Sequence, residues 1–197
     1  MTEAVLARHA EALDLFGGLV HEVRGTRWEA PTPCADWTVR DLVNHLTAEQ
    51  LWVPDLVTER RATTDLGEAH AGDVLGEEPA ATWDEAAEGA RAAFNAPDAL
   101  DGTVTLSYGE SATHDYCAEM TLDAVVHSWD LARALGADDT LPPALVSFAL
   151  AWVEPQAQVL AASSYFGEPV EVAEDADDQT RLLALLGRSR DWPSGTS

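Results

Sequence analysis

EMTLDAVVHSWDLARALG, residues 119–136, is the stretch whose reading decides the fold. Wound as an α-helix, it sets Glu119, Asp123, His127 and Asp130 at spacings of four, four and three, along one stripe. Leu122, Val125, Val126 and Trp129 fall on the opposite side, and Met120, Leu131 and Ala134 flank the polar stripe. A carboxylate and an imidazole one turn apart are how a single helix offers two ligands to a divalent metal. An acidic stripe is equally how a surface helix meets water. The spacing alone leaves both readings open.

Working outward, the helix starts near Thr113 and runs to Leu135, with Gly136 as its C-terminal cap. Residues 2–24 keep helical periodicity through Val5, His9, Leu13, Phe16, Val20 and Val23, with Gly17-Gly18 as a weak middle and Gly25 as the stop. WEAPTPCAD, residues 28–36, is a proline-punctuated connector. Thr38 with Asp41 reads as a capping box that starts the next helix, whose apolar face is Val39, Leu42, Val43 and Leu46. That helix is expected to kink or end at Pro54, with the segment running on to about Arg60.

Residues 61–81 read as a long exposed loop. A second capping box, Thr82 with Glu85, predicts a third helix to Asn95, and DGTVTLSYGE, 101–110, predicts a short extended segment or hairpin arm. Another helix begins at Pro142-Pro143 and is interrupted by Pro155. An acidic linker from 168 leads to a short terminal helix, TRLLALLGR at 180–188, and a frayed tail, DWPSGTS. The fold class expected is all-α: a four-helix bundle with long crossover connections, as one domain over 1–197 with 163–197 as a C-terminal extension.

Charge excludes some functions. Eleven Arg, no Lys and 35 acids give a net charge of −24, which argues against nucleic acid and anionic membranes as partners. Without lysine there is no Schiff-base chemistry and no phosphate-loop ammonium. The apolar runs are short and the N-terminus carries acids early, so a cytoplasmic protein without a spanning helix or secretory signal is expected. Cys34 and Cys117 belong to no CxxC pair and read as ordinary thiols. Cys34, in its proline-flanked loop, shows no cause for a lowered pKa and is set aside as a nucleophile.

Histidines carry the remaining chemistry. His9, His21 and His70 have no acid four residues before them, whereas His45, His114 and His127 follow Asp41, Glu110 and Asp123. Asp41 already has work as a cap partner, and Glu110 precedes the helix of His114. Only Asp123 and His127 are both mid-helix. His45, set among leucines, is the natural third ligand, or else a core histidine satisfied by one hydrogen bond. Two His and one carboxylate would leave coordination positions open for water or substrate. Glu119, Asp130 or Glu49 could orient an imidazole, and Arg133 is a candidate carboxylate binder or a salt bridge.

TPCADWTVRDLVNHL, which spans His45, resembles the N-terminal signature of mycothiol-dependent maleylpyruvate isomerase-like proteins, in the DinB-like superfamily of metal-binding four-helix proteins. DAVVHSWDLARALG is similar to the same family's second signature, and RLLALLGR resembles the close of its actinobacterial branch. The resemblance implies a DinB-like bundle whose metal ligands fall on His45, Asp123 and His127. It implies a divalent metal, zinc first with Ni, Fe or Mn as alternatives, and a low-molecular-weight thiol such as mycothiol as cofactor. The function it implies is thiol-dependent S-transfer or isomerisation through a metal-stabilised thiolate. A non-catalytic metal-binding or stress protein and a metal-dependent hydrolase, with Glu119 or Asp130 as base, are the alternatives. Partners expected are a small-molecule thiol and an electrophilic substrate, with a homodimer as an option. The sequence departs from the family's isomerases by Asp at 123 where they carry Glu, and by lacking room for their added C-terminal domain.

Overall fold

The helix carrying the motif, α5 (Thr113–Leu135), has the expected span and closes on Gly136, whose φ of 65° is the left-handed cap that glycine adopts without strain. Its surroundings decide between the two readings of the stripe. Leu122, Val125, Val126 and Trp129 are buried as the pattern requires, but so are His127 and Asp130 on the polar side. The His127–Asp130 half of the stripe faces other helices, while Glu119 and Asp123 are half-buried.

The computed structural model describes residues 2–161 and 166–193. Helix α1 (Thr2–Val20) packs on α5, and α2 (Val39–Val53) packs on both α5 and α4 (Pro79–Phe94). A short α3 (Thr63–Leu66) lies in the connection from α2 to α4, and a two-stranded antiparallel hairpin, β1 (Thr103–Leu106) and β2 (Gly109–Ala112), precedes α5. The hairpin register, Thr103 opposite Ala112 and Leu106 opposite Gly109, confirms the extended arm expected there. After α5 come α6 (Pro143–Val153), α7 (Ala157–Ala161) and α8 (Asp178–Leu185). The architecture is all-α, a helical bundle with long connections between α2 and α4 and between α4 and α5, as expected.

Two apolar clusters fill the interior. One joins Phe16, Leu46, Trp83 and Trp129 with Leu182 and Leu186 near the C-terminal end. The other joins Val53, Phe94, Leu100 and Val104 with Tyr116. Of the extension expected at 163–197, residues 163–165 and 194–197 lie outside those described. The remainder closes on the bundle, since Leu182, Leu183 and Leu186 of the α8 region are fully buried.

Several boundaries differ from the sequence reading. Helix α1 stops at Val20 instead of 24, and Gly25 (φ 53°) opens a separate short 3₁₀ turn. Gly17 lies within α1 where Trp83 leaves no room for a side chain, since an added Cβ would stand 2.8 Å from Nε1. Helix α4 begins at Pro79, not Thr82. Proline's fixed φ suits the first helical position, and the Thr82 hydroxyl donates back to Glu78 and Leu75 carbonyls instead of capping. Beyond Val53, Pro54–Thr58 continues as one π-helical turn.

The 61–81 segment is less exposed than expected, because α3 buries Leu66, and Leu75 inserts fully into the core. Pro143–Ala161 is long and apolar enough to cross a membrane by length and composition. Here Leu145, Val146, Ala149 and Val153 face the core, and a 3₁₀ turn at Pro155 interrupts the run, as the proline predicts.

Candidate metal centre

Local sequence fixes where each site residue stands. The Thr38–Asp41 capping box is complete: the Thr38 backbone N–H donates to Asp41 at 2.9 Å, and the Asp41 N–H donates to the Thr38 hydroxyl at 3.2 Å. That start puts His45 two turns into α2, with Leu42 and Leu46 buried on either side. The connector before it is pinned as well. The Thr32 hydroxyl donates to the Trp37 carbonyl at 3.0 Å and accepts from the Cys34 N–H at 3.2 Å, so Cys34 and Trp37 turn inward together.

From α2 and α5 the three nominated side chains converge. His45 Nε2 lies 3.3 Å from one Asp123 oxygen and His127 Nε2 lies 3.4 Å from the other. Their ligand atoms all sit within 4.8 Å of one another. The imidazoles meet nearly edge-on, with centroids 5.3 Å apart, and Trp37 packs against both rings. A His-Asp-His set with both Nε2 atoms turned to one point is the donor chemistry of a zinc-type site that keeps coordination positions open.

Behind His127 stands a second layer. Its Nδ1–H donates to Asp130 Oδ2 at 2.8 Å, which leaves Nε2 as the ligating atom. Asp130 is fully buried, and Arg188 donates to the same oxygen at 2.9 Å. Cys34 Sγ joins them, 3.2 Å from Asp130 and 3.7 Å from His127 Nδ1. Arg188 is aimed by Gly187, where φ is 76° and any Cβ would fall 2.5 Å from the Gly167 backbone, so only glycine fits.

The electrostatics follow from this layering. Burial disfavours ionised Asp123, yet the His127 charge and the bonds from His127 and His45 outweigh it and hold the carboxyl well below the usual carboxylate range. His127 moves the opposite way. Burial alone would lower it, but Asp123 on one side and Asp130 on the other raise it well above an ordinary imidazole. Burial works against Asp130 too, and the Arg188 charge, then His127, keep it ionised. A divalent cation held by the same side chains would compete with protons for the two imidazoles. Glu49, which faces Asp123 and both imidazoles, is raised by burial first and by the Asp123 charge second.

Among the other nominations, Asp130 takes the orienting role foreseen for it. Glu119 instead accepts from the Tyr108 hydroxyl on the hairpin. Arg133 serves the chain's end, pairing with Asp139 at 3.0 Å and bonding the Trp192 carbonyl. Sequence reasoning missed Cys34 and Arg188. Arg188 is 58 residues from its partner Asp130, beyond any helical spacing. Cys34 sits in the quoted TPCADW stretch, and what the sequence could not show is that its thiol meets α5. Both cysteines are free, as expected.

Comparison with known proteins adds an independent line. Residues 9–132 match the mycothiol maleylpyruvate isomerase N-terminal domain, a span that includes His45, Asp123 and His127. Two uncharacterised proteins from two strains of Mycobacterium tuberculosis are each 29% identical over 192 residues, covering 93% of this chain and 97% of theirs. No solved structure matches the chain.

Proposed function

The chain belongs to the mycothiol maleylpyruvate isomerase N-terminal domain family, and on that premise we propose that it is a metal-dependent, thiol-using enzyme of the cytoplasm. His45, Asp123 and His127 hold one divalent metal, zinc first, and the open positions take a low-molecular-weight thiol of the mycothiol type. A bound divalent metal supplies a stabilised thiolate at neutral pH, the nucleophile for S-transfer to, or isomerisation of, an electrophilic substrate. The observation that carries this reading is the meeting of two Nε2 atoms from different helices on the two oxygens of one carboxylate.

The chain's own residues have distinct tasks. Asp130 fixes the His127 tautomer, and Arg188 keeps Asp130 ionised. Trp37 packs against both imidazoles and fixes their placement from one side. Glu49, whose carboxyl is pushed toward its neutral form, is placed to hold a proton beside the ligands. Hydrolysis with Asp130 or Glu119 as base has less support, because Asp130 is consumed by His127 and Arg188 and Glu119 by Tyr108.

The test is metal content of untagged protein by mass spectrometry, beside His45→Ala and His127→Ala, followed by turnover of mycothiol with a panel of electrophiles. The expected result is about one divalent ion per chain, lost in both variants, with thiol-dependent turnover only in wild type. Metal binding without turnover of any thiol would leave a non-catalytic metal protein. A chain that takes up no zinc, nickel, iron or manganese would end the reading.

A further inference from the structure

Exposure across the three proposed ligands is graded: the His45 side chain is 32% accessible, Asp123 18% and His127 6%. Molecules reach the cluster from the His45 side, since Asp130, Cys34 and Arg188 close the rear. On that side lies a cavity of about 430 Å³, lined by Asp36, Trp37, Asp41, Asn44, His45 and His70. Its outer wall belongs to the long connection between α2 and α4, and that wall is tied down. Asn44 donates to the Gly72 carbonyl and accepts from the Val74 N–H, both at 2.8 Å, while Arg40 holds Asp73 at 2.7 Å and the Gly76 carbonyl at 2.8 Å.

The charge of this entrance is one-sided. Asp36 and Asp41 are exposed carboxylates at its rim. The arginine nearby, Arg40, is already paired with Asp73, and the His70 ring is hydrogen-bonded to Asp55 at 2.8 Å. Among the described residues, no arginine lines the cavity. An open cavity rimmed by two carboxylates, on a chain of net charge −24, concentrates cations and repels anions.

We propose that this cavity is the entrance to the His45–Asp123–His127 cluster and that it admits uncharged and cationic molecules in preference to carboxylates. The inference rests on the metal-and-thiol reading and names the charge class of its electrophile. Maleylpyruvate, the dicarboxylate in the family's title, is then the wrong class of substrate for this chain.

One arm of the test needs neither metal nor cofactor. Ala48, which lines the cavity, is changed to cysteine in a Cys34→Ser background, leaving Cys117 fully buried. The new thiolate is then reacted with methanethiosulfonates bearing a trimethylammonium, a methyl or a sulfonate group. In each case it attacks the sulfenyl sulfur, an S–S bond forms and methanesulfinate leaves. Relative to free cysteine, the cationic reagent should react about tenfold faster than the anionic one at low salt. Adding Asp36→Asn, which tolerates the φ of 65° at that position, should narrow the gap. An anionic reagent that reacts as fast as the cationic one overturns the proposal.

A second arm uses the unaltered chain loaded with cobalt. Thiocholine, 2-mercaptoethanol and 2-mercaptoethanesulfonate are titrated against the thiolate-to-cobalt absorption, with affinity expected to fall in that order. The reverse order also overturns the proposal. If no thiol perturbs the cobalt while the rate order of the first arm holds, charge selection stands and the thiol reading fails.

Discussion

Two histidines are buried to nearly the same degree in this chain, His127 at 5% exposed and His9 at 1%, and they are opposites. His127 is clasped by Asp123 and Asp130, its pKa raised well above normal, and both ring nitrogens are engaged. His9, on α1, sits edge-on to Phe94 with ring centroids 5.0 Å apart. Burial, its largest influence, outweighs the Gln50 amide beside it and lowers its pKa to about 4. His9 Nε2 and both polar atoms of the Gln50 amide have no hydrogen-bond partner among the described residues. Burial by itself therefore makes a neutral core histidine. Carboxylates delivered from the right positions raise a buried imidazole instead.

The contrast can be broken first at Asp130. Asp130→Ala would strand the Arg188 and His127 charges inside the protein, and a loss of about 3–5 kcal/mol is expected by thermal or urea unfolding. Asp130→Asn, which keeps the shape, should cost less stability and weaken metal affinity about 10–100-fold by titration. An Asp130→Ala protein as stable as wild type would mean the rear layer is ornamental.

The second break uses pH. His9 is neutral when folded down to about pH 4 but protonates at its ordinary value of 6.5 once unfolded. Between those values the unfolded state binds more protons, so its contribution is complete above pH 6.5 and is lost progressively as pH falls toward 4. The total is about 3 kcal/mol for a shift of this size. His9→Phe should flatten that part of the stability–pH curve relative to wild type in urea melts, and an unchanged slope would refute the assignment.

The smallest effect is expected at Gln50. Gln50→Met removes an unpartnered amide of similar length and should leave stability unchanged or raise it by about 1 kcal/mol, whereas a loss above that would reveal a hydrogen bond at this position.

Much of this was legible in the chain because it rests on local spacing. The Thr38–Asp41 box set the register of α2, the three-and-four spacing set the stripe of α5, and Gly136 and Pro155 marked the stops of α5 and α6. Acid–histidine spacing also separated His127 from His9 without any coordinates. The second box, at Thr82, misled because Pro79 offers an equally good helix start three residues earlier. Local chemistry could not rank the two.

By itself, the sequence determined an all-α chain, its acidic charge and the helical positions of His45, Asp123 and His127. Only the tertiary structure decided that the His127–Asp130 half of the polar stripe is interior, that Cys34 and Arg188 close its rear, and that a carboxylate-rimmed cavity opens at its front. The reason is range. Helix periodicity and caps are set within four residues, while burial, and the charge balance that burial makes consequential, depend on which distant segments pack together.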